Sequence, residues 1–114
     1  MNIYKVAVIG AGTMGAEIAQ VMSYAGIPVL LKDVNQDFVS QGLQKIRKIY
    51  DRRVQKGKMT VGDSEEKMKL VQGVTDYSLF QDIDLVVDAV PERMELKKKV
   101  FSELALKVPD DSIL

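Results

Sequence analysis

Apolar positions along the chain fall into short continuous runs separated by stretches with helical spacing. The first run, over 3–9, predicts a strand that is buried on both faces. Over 13–25 the apolar residues recur at helical spacing, and Gly26 is placed to end the helix. A second run over 28–33 begins at Pro28, a position where a strand tolerates proline. Strand, helix and strand in this order predict a βαβ unit of about 30 residues.

The first helix and a longer second helix are each predicted to bury an apolar stripe. Asn35 is placed to cap the second helix, which runs to about residue 56 and ends at Gly57. The predicted stripe of the first helix is Met14, Ile18, Val21, Met22 and Ala25. That of the second helix is Phe38, Leu43, Ile46, Ile49, Tyr50 and Val54.

Weaker signals divide the remainder of the chain into short elements. They predict a turn over 59–63, a short helix capped by Asp63 or Ser64 and ending at Leu70, a short strand over 73–75, a loop or single turn over 77–81, a strand over 85–90 stopped by Pro91, a helix over 93–107, a turn over 109–111 and the beginning of a strand over 112–114. Because strands and helices alternate, the sequence predicts an α/β fold with a parallel sheet.

The connection between the first strand and the first helix is rich in glycine. Residues Gly10–Gly15 read Gly-Ala-Gly-Thr-Met-Gly, and Asp33 ends the second strand. Gly10 permits a tight turn, Gly12 lets the backbone approach a pyrophosphate, and Gly15 lets the helix pack against the strand. The helix directs its first amides and the positive end of its dipole at the phosphates. This context predicts a dinucleotide site in a doubly wound, Rossmann-type parallel sheet with helices on both faces.

Asp33 determines which dinucleotide is expected. A carboxylate at the end of the second strand accepts hydrogen bonds from the adenosine ribose hydroxyls and repels the 2′-phosphate of NADP. Lys32 faces the opposite side of the strand, because successive side chains alternate. The sequence therefore predicts NAD as the cofactor. The structural alternative is a glycine turn without a ligand, in which Asp33 only caps a helix.

Composition restricts the chemistry that this chain performs. With 114 residues, 46% hydrophobic and 28% charged, it is predicted to form one soluble domain with a core of its own. Sixteen basic and sixteen acidic residues cancel, so nothing global indicates nucleic acid or membrane binding. The absence of Cys and His excludes thiol chemistry, disulfides, Cys/His zinc sites and imidazole bases within the chain. No metal site is predicted.

The expected location is the cytoplasm. No signal peptide is recognisable before the first predicted strand, and no apolar stretch approaches the roughly 18 residues of a membrane span. A chain without cysteine also fits a reducing compartment.

The predicted strand over 85–90 should end at the same edge of the sheet as the glycine turn. Val90, Pro91 and Glu92 would then lie over the middle of the cofactor. Lys97 follows Glu92 by just over one helical turn, so the two could bracket the nicotinamide ribose. Spacing alone favours the simpler alternative, in which Glu92 complements a helix N-terminus and Lys97 is a solvated surface residue.

The segment over 45–58 is strongly basic, with Asp51 as its only acid. Its cations are Lys45, Arg47, Lys48, Arg52, Arg53, Lys56 and Lys58. They could capture a phosphorylated acyl carrier such as coenzyme A. A solvated helix face is the interpretation that the pattern alone favours.

Together these segments resemble the NAD-binding domain of 3-hydroxyacyl-CoA dehydrogenases over nearly the whole chain. The run from Val6 to Gln20, with Met14 inside the glycine turn, carries the resemblance together with Asp33. So does the run from Asp84 to Glu92, followed by Lys97 and Phe101. Residues 56–60 are similar to a linker in members that belong to multifunctional fatty-oxidation complexes. The chain departs from many members at Glu17, where they have Gly, and at Pro91, where they have Val or a small residue.

The resemblance implies a role for each matching position. Cofactor contacts are expected at Gly10, Gly12, Thr13, Met14, Gly15, Asp33, Val90, Pro91, Glu92 and Lys97, and a coenzyme A contact at Lys56. The implied activity is the NAD-dependent oxidation of (S)-3-hydroxyacyl-CoA to 3-ketoacyl-CoA in β-oxidation. The family's catalytic His and partner Glu would follow Leu114, so no residue of this chain is expected to be catalytic.

The resemblance also sets expectations for the organisation of the protein. Residues 1–114 are expected to form the cofactor half of a longer parent enzyme, truncated before a helical domain. The parent would be a homodimer or part of a multifunctional complex acting on acyl-CoA, and the fragment would be monomeric and inactive alone.

Two other functions are compatible with the glycine turn. A β-hydroxyacid dehydrogenase of the 3-hydroxyisobutyrate or 6-phosphogluconate type shares the pattern G-x-G-x-M-G, but Asp33 and the Glu92–Lys97 pair argue against it. A non-enzymatic, NAD-sensing Rossmann module is the second alternative, and the absence of a base in the chain is consistent with it.

Overall fold

The computed structural model describes residues 4–89, in which strands and helices alternate along the chain. The elements are β1 (Val6–Ile9), α1 (Thr13–Tyr24), β2 (Val29–Lys32), α2 (Gln36–Gln55), α3 (Val61–Lys69), β3 (Val71–Val74), a 3₁₀ turn (Phe80–Asp82) and β4 (Leu85–Asp88). The predictions made for residues 90–114 lie outside the described residues. No helix in the described range is long and apolar enough to cross a membrane.

The four described strands form one parallel sheet in the order β3-β2-β1-β4. Ile9 is in register with Lys32 on one side and with Asp88 on the other. The carboxyl ends of β1, β2 and β4 therefore meet at one edge of the sheet. Strand order and direction are those of the first half of a doubly wound nucleotide-binding sheet, which confirms the predicted Rossmann-type fold.

The two faces of the sheet are covered differently in the described part of the chain. On the first face, alternate strand residues such as Val8 and Leu31 pack against α1 and α2 in a core that includes Ile46 and Tyr50. On the second face, Ala7, Ile9, Leu30 and Val86 are covered by Phe80 and Ile83 of the segment that leads into β4. Both faces are buried, which explains the continuous apolar runs of β1 and β2.

The buried face of α1 is made of small and polar residues, which corrects the predicted stripe. Its buried residues are Gly15, Ala16, Ala19, Gln20 and Ser23. Val21, predicted to be in the core, is 60% exposed. Met14 and Ala25 also lie at the surface, whereas Ile18 and Met22 are partly buried at the flanks. Small side chains bring the helix close to the sheet and to α2, and hydrophobicity alone does not reveal such a face.

The buried stripe of α2 includes Ile46 and Tyr50, as predicted, and the predicted Leu43, Ile49 and Val54 are partly buried. Its buried residues are Val39, Gly42, Ile46 and Tyr50. Phe38 is 47% exposed, although the pattern placed it in the core. Gly42 allows α2 to approach Ala11, in the turn after β1, more closely than a residue with a side chain would.

The ends of α2 agree with the sequence, and the beginning of α3 does not. The Asn35 side chain accepts a hydrogen bond of 2.9 Å from the Phe38 amide, and Gly57 follows the helix with a φ of 70°. Helix α3 is capped by Thr60, which accepts from the Asp63 amide at 3.0 Å, rather than by Asp63 or Ser64. A threonine in extended backbone offers its hydroxyl to the first turn as well as an Asp does.

Strand boundaries differ from the prediction by one to three residues. Strand β1 begins at Val6, and β2 loses one residue at each end of the predicted range. Strand β3 occupies Val71–Val74 rather than 73–75, because pairing with β2 starts as soon as α3 ends.

Tyr50 joins α2 to α1 through its buried hydroxyl group. The hydroxyl donates to the Gln20 carbonyl at 3.1 Å and is also hydrogen-bonded to the Ser23 hydroxyl. Burial raises the pKa of Tyr50, although its hydrogen bonds with Ser23 and Gln20 and the charge of Arg53 act in the opposite direction. The neutral phenol is therefore the form that the fold stabilises.

Replacing Tyr50 by Phe removes this hydroxyl without changing the ring. We expect Tyr50→Phe to lower the free energy of unfolding by about 1–2 kcal/mol at neutral pH, because the buried polar groups of α1 lose a partner. Since the folded pKa is raised, the tyrosine's contribution is present below about pH 10 and is lost as the pH rises through the folded value. Urea denaturation of both proteins from neutral to alkaline pH tests this.

The difference in the free energy of unfolding between wild type and Tyr50→Phe should become smaller at alkaline pH. Tyr24→Phe serves as the control, because Tyr24 is 47% exposed and its change should be smaller. A gap that stays constant with pH would contradict the role assigned to the buried phenol.

Candidate functional site

The turn between β1 and α1 is tied to the end of β2. Gly10 adopts a φ of 103°, a conformation that side chains other than glycine rarely adopt, and its amide donates to the Lys32 carbonyl at 2.8 Å. The next amide, that of Ala11, donates to Asp33 Oδ2 at 2.8 Å. The two features singled out from the sequence, the glycine turn and the distant acid, are thus in direct contact.

Helix α1 begins at Gly12 without a capping side chain. Among the described α-helices, α2 and α3 are capped by Asn35 and Thr60, whereas α1 has no side-chain cap. A Cβ built on Gly12 would meet nothing within 4 Å, so the space in front of this residue is open. Open space, uncapped first-turn amides and the positive end of the helix dipole together suit the pyrophosphate of a dinucleotide.

Position 15 requires glycine for a steric reason that involves the same turn. A Cβ at this position would lie 1.7 Å from the Gly10 carbonyl oxygen and 2.9 Å from the Gly10 carbonyl carbon. Helix α1 therefore starts directly against the backbone of the turn. Only glycine at position 15 permits this approach.

Asp33 retains acceptor capacity after its contacts with the protein. Its Oδ2 accepts from Ala11 and its Oδ1 accepts from the Val34 amide at 2.7 Å. An ionised carboxylate has about four acceptor positions, so about two remain for ligand hydroxyls. The carboxylate is only partly buried, which leaves it accessible.

Two exposed apolar residues follow Asp33 along the chain and were not among the predicted site residues. Val34 follows Asp33 directly and is 73% exposed, and Phe38 lies in the first turn of α2. An exposed apolar pair beside a ribose-type carboxylate suits the face of an adenine ring. Their position after Asp33 was the available signal, but helical periodicity assigned Phe38 to the core.

The remaining predicted residues near the turn are placed as follows. Thr13 and Met14 lie in the first turn of α1 and are exposed, as is Glu17. Lys32 is buried on the second face of the sheet, and its ammonium lies 4.4 Å from the centre of the Tyr77 ring. Its charge therefore points away from the ribose side of Asp33, as the alternation of the strand predicted.

The structure brings the glycine turn and Asp33 together but separates Lys56 from them. Lys56 is the exposed C-cap residue of α2. Asn35 caps the other end, and a helix of this length spans about 30 Å. A contact of Lys56 with substrate would therefore lie far from the turn.

Val90, Pro91, Glu92 and Lys97 lie outside the described residues. The preceding strand, β4, ends at Asp88, two residues before the predicted end, but at the same edge of the sheet as the glycine turn, as expected. Strand β4 is parallel to β1, and the Ala89 amide donates to the Ile9 carbonyl at 2.8 Å, next to the start of the glycine turn.

Comparison with known proteins identifies the family. Residues 5–114 match the family model described as 3-hydroxyacyl-CoA dehydrogenase, NAD binding domain. The chain belongs to this family. The expectation of NAD as the cofactor is thereby confirmed, and the family match favours the first interpretation over a β-hydroxyacid dehydrogenase of another type.

Relatives and solved structures of this family cover almost the whole chain. The peroxisomal fatty acid beta-oxidation multifunctional protein MFP2 of Arabidopsis thaliana is 39% identical over 113 residues, which is 99% of this chain and 16% of the relative. The fatty acid oxidation complex subunit alpha of Pseudomonas putida is 34% identical over the same length and share. The crystal structure of 3-hydroxybutyryl-CoA dehydrogenase from Escherichia coli K12 superposes with a TM-score of 0.90 at 38% identity, covering 99% of this chain and 24% of that one.

These shares show how the chain compares with its relatives in length. It spans about a sixth of the curated multifunctional proteins that it matches, 16% in both cases. The similarity therefore concerns the NAD-binding domain and not the whole of those proteins.

The open space at Gly12 predicts a separation of stability from cofactor affinity. We expect Gly12→Ala to change the free energy of unfolding by less than about 1 kcal/mol, because the new methyl group meets no protein atom. NAD affinity should fall by at least about tenfold, because the methyl group occupies the space the pyrophosphate approaches. Urea denaturation and calorimetric titration with NAD measure the two quantities.

Gly62→Ala is the matched control for this substitution. A Cβ there would approach only the Thr60 hydroxyl, at 3.9 Å, in the first turn of α3. It should leave NAD affinity unchanged. Unaltered NAD affinity in Gly12→Ala would show that the cofactor does not use this space.

Proposed function

We propose that residues 1–114 form the NAD-binding domain of an enzyme that oxidises (S)-3-hydroxyacyl-CoA to 3-ketoacyl-CoA in fatty acid β-oxidation. The observation that carries the proposal is the pairing of the uncapped start of α1 with Asp33 through the Ala11 amide. This arrangement supplies an anion site and a hydroxyl site side by side. The family to which the chain belongs supplies the reaction and the substrate class.

The described residues account for the adenosine half of the cofactor. Gly10, Gly12 and Gly15 shape the turn, and the amides of Thr13 and Met14 at the start of α1 receive the pyrophosphate. Asp33 accepts hydrogen bonds from the ribose hydroxyls, and the exposed Val34 and Phe38 adjoin the adenine. The Met14 side chain, 36% exposed, covers the pyrophosphate from the helix side.

The nicotinamide half is assigned to the carboxyl end of β4. When bound, NAD supplies the carbon that accepts hydride from the substrate. We place Val90, Pro91, Glu92 and Lys97 along this half of the cofactor, supported by the parallel pairing of β4 with β1. No catalytic residue is assigned within the chain, which contains no His.

Substrate and partners follow from the same family relationship. We assign Lys56 to the coenzyme A moiety, supported by its exposure at the end of a basic helix. We propose a parent that acts on acyl-CoA, as a homodimer or in a larger assembly, and relatives named as multifunctional fatty acid oxidation proteins support the second of these. We propose a cytoplasmic location on the basis of composition, although the plant relatives are named as peroxisomal or glyoxysomal proteins.

Asp33 offers the most direct test of the cofactor site. We expect Asp33→Ala to lower NAD affinity by about tenfold or more, because a charge-assisted hydrogen bond is worth about 1.5–3 kcal/mol. The affinity for NADP should fall less than that for NAD, or should rise, since the carboxylate that repels the 2′-phosphate is absent. Calorimetric titrations with NAD and NADP determine the ratio of the two affinities.

Asp37→Ala is the control for the change of charge, since Asp37 is an exposed acid in the first turn of α2. Its ratio of NAD to NADP affinity should match that of the wild type. A wild-type protein that binds NAD and NADP equally well would contradict the assignment of Asp33.

The proposal also predicts binding without turnover for the 114-residue chain. We expect it to bind NAD and NADH but not to oxidise 3-hydroxybutyryl-CoA, because the chain holds no imidazole to accept the hydroxyl proton. The appearance of NADH absorbance measures the reaction. Sustained formation of NADH in proportion to the protein concentration would contradict the prediction.

A further inference from the structure

Ala11, in the glycine turn, lies between β2 and α2. It is 2% exposed, and its amide is held by Asp33 Oδ2. From the other side α2 approaches it through Gly42. A Cβ built on Gly42 would lie 2.8 Å from the Ala11 Cβ, 2.8 Å from the Ala11 carbonyl oxygen and 2.9 Å from a methyl carbon of Leu31.

These separations are shorter than carbon atoms tolerate without a shift of one partner. Two of the three neighbouring atoms belong to Ala11, and both are rigidly attached to its backbone, so neither can swing aside by a change of rotamer. The interior of a protein is close-packed, and an added methyl group is therefore felt by its neighbours. A side chain at position 42 must displace Ala11 or push α2 away from it.

We propose that Gly42 is a positioning residue for the NAD site. It reaches no cofactor atom itself, but α2 uses it to hold the Ala11 amide against Asp33 and thereby sets the position of the Gly12–Met14 amides that follow. This inference rests on the proposed function for its effect on NAD, and on the described contacts alone for its effect on the turn. Residue 42 would then contribute to cofactor affinity, and to the preference for NAD over NADP, from the far side of the turn.

Gly73 of β3 provides a matched comparison, because it approaches α2 at the neighbouring residues Val39 and Leu43. A Cβ there would crowd a methyl carbon of Val39 and lie 3.2 Å from one of Leu43, and its three nearest atoms all belong to these two residues of α2 rather than to the glycine turn. Gly73→Ala therefore crowds the same helix without crowding Ala11. Gly62→Ala, which meets almost nothing, shows the effect of replacing a helical glycine where there is space.

The test compares Gly42→Ala with Gly73→Ala and Gly62→Ala in the 114-residue chain. Alanine has a higher helix propensity than glycine. This offsets part of the destabilisation caused by crowding in Gly42→Ala and helps the variant to fold. NAD and NADP affinities are measured by calorimetry and corrected for the folded fraction found by urea denaturation. The Ala11 amide is followed by its NMR chemical shift and its hydrogen exchange without any cofactor.

We expect Gly42→Ala to lower NAD affinity by about tenfold, the equivalent of one well-aligned hydrogen bond, and to narrow the preference for NAD over NADP. Its Ala11 amide should exchange faster and shift as the bond to Asp33 lengthens. Gly73→Ala should have a lower free energy of unfolding than the wild type. The NAD affinity of its folded fraction should be unchanged, as should the chemical shift and exchange rate of the Ala11 amide.

Loss of stability in Gly42→Ala with an unchanged Ala11 amide and unchanged NAD affinity would overturn the inference. Should Gly42→Ala fail to fold, the double variant Gly42→Ala/Ala11→Gly carries the test in the same assays, because removing the Ala11 Cβ relieves one of the close approaches while the residue 11 amide remains as the reporter. Absence of NAD binding by the wild type would instead refute the proposed function, and the Ala11 amide would still report on Gly42.

Discussion

The hydrogen bond between the Ala11 amide and the Asp33 carboxylate is the contact on which the site depends. It joins two loops that are far apart in sequence and places an acceptor for hydroxyl groups beside a helix start that accepts anions. A charge-assisted bond of this kind is stronger than a neutral one, and here it is only partly exposed to solvent. The two parts of the proposed adenosine site, the Asp33 carboxylate and the start of α1, are therefore held together by the protein's own contacts.

The rest of the fold keeps those two loops adjacent. Parallel pairing of β1 with β2 brings their carboxyl ends to the same edge, and the Gly10 amide extends the pairing by one bond to the Lys32 carbonyl. Close packing supports the turn from two sides, through Gly15 of α1 and Gly42 of α2. At the opposite edge of the sheet Asp84 plays a corresponding part, accepting from the amides of Tyr4 and Lys5 and so joining the starts of β1 and β4.

Family membership and geometry explain different aspects of this protein. Membership of the family shows which cofactor the domain uses. The geometry explains why glycine is needed at positions 10 and 15 and why an acid follows β2. Val34 and Phe38 entered the proposal for the adenine side only from the structure, because their exposure depends on how the chain packs around them. The basic residues of α2 lie from its midpoint onward, from Lys45 to Arg53, and Lys56 is its C-cap, so the coenzyme A contact that we propose for Lys56 would lie far from the NAD turn.

The sequence by itself determined the α/β fold, the order of the first elements, the glycine turn, NAD and the cap at Asn35. Each of these depends on local chemistry: a hydrophobic period, a backbone conformation limited to glycine, or a side chain that bonds an amide three residues away. The buried faces of α1 and α2, the Thr60 cap and the contact of Gly42 with Ala11 were decided by tertiary structure. These features depend on how closely two elements approach, and that distance is set by all the side chains between them and not by any one stretch of sequence.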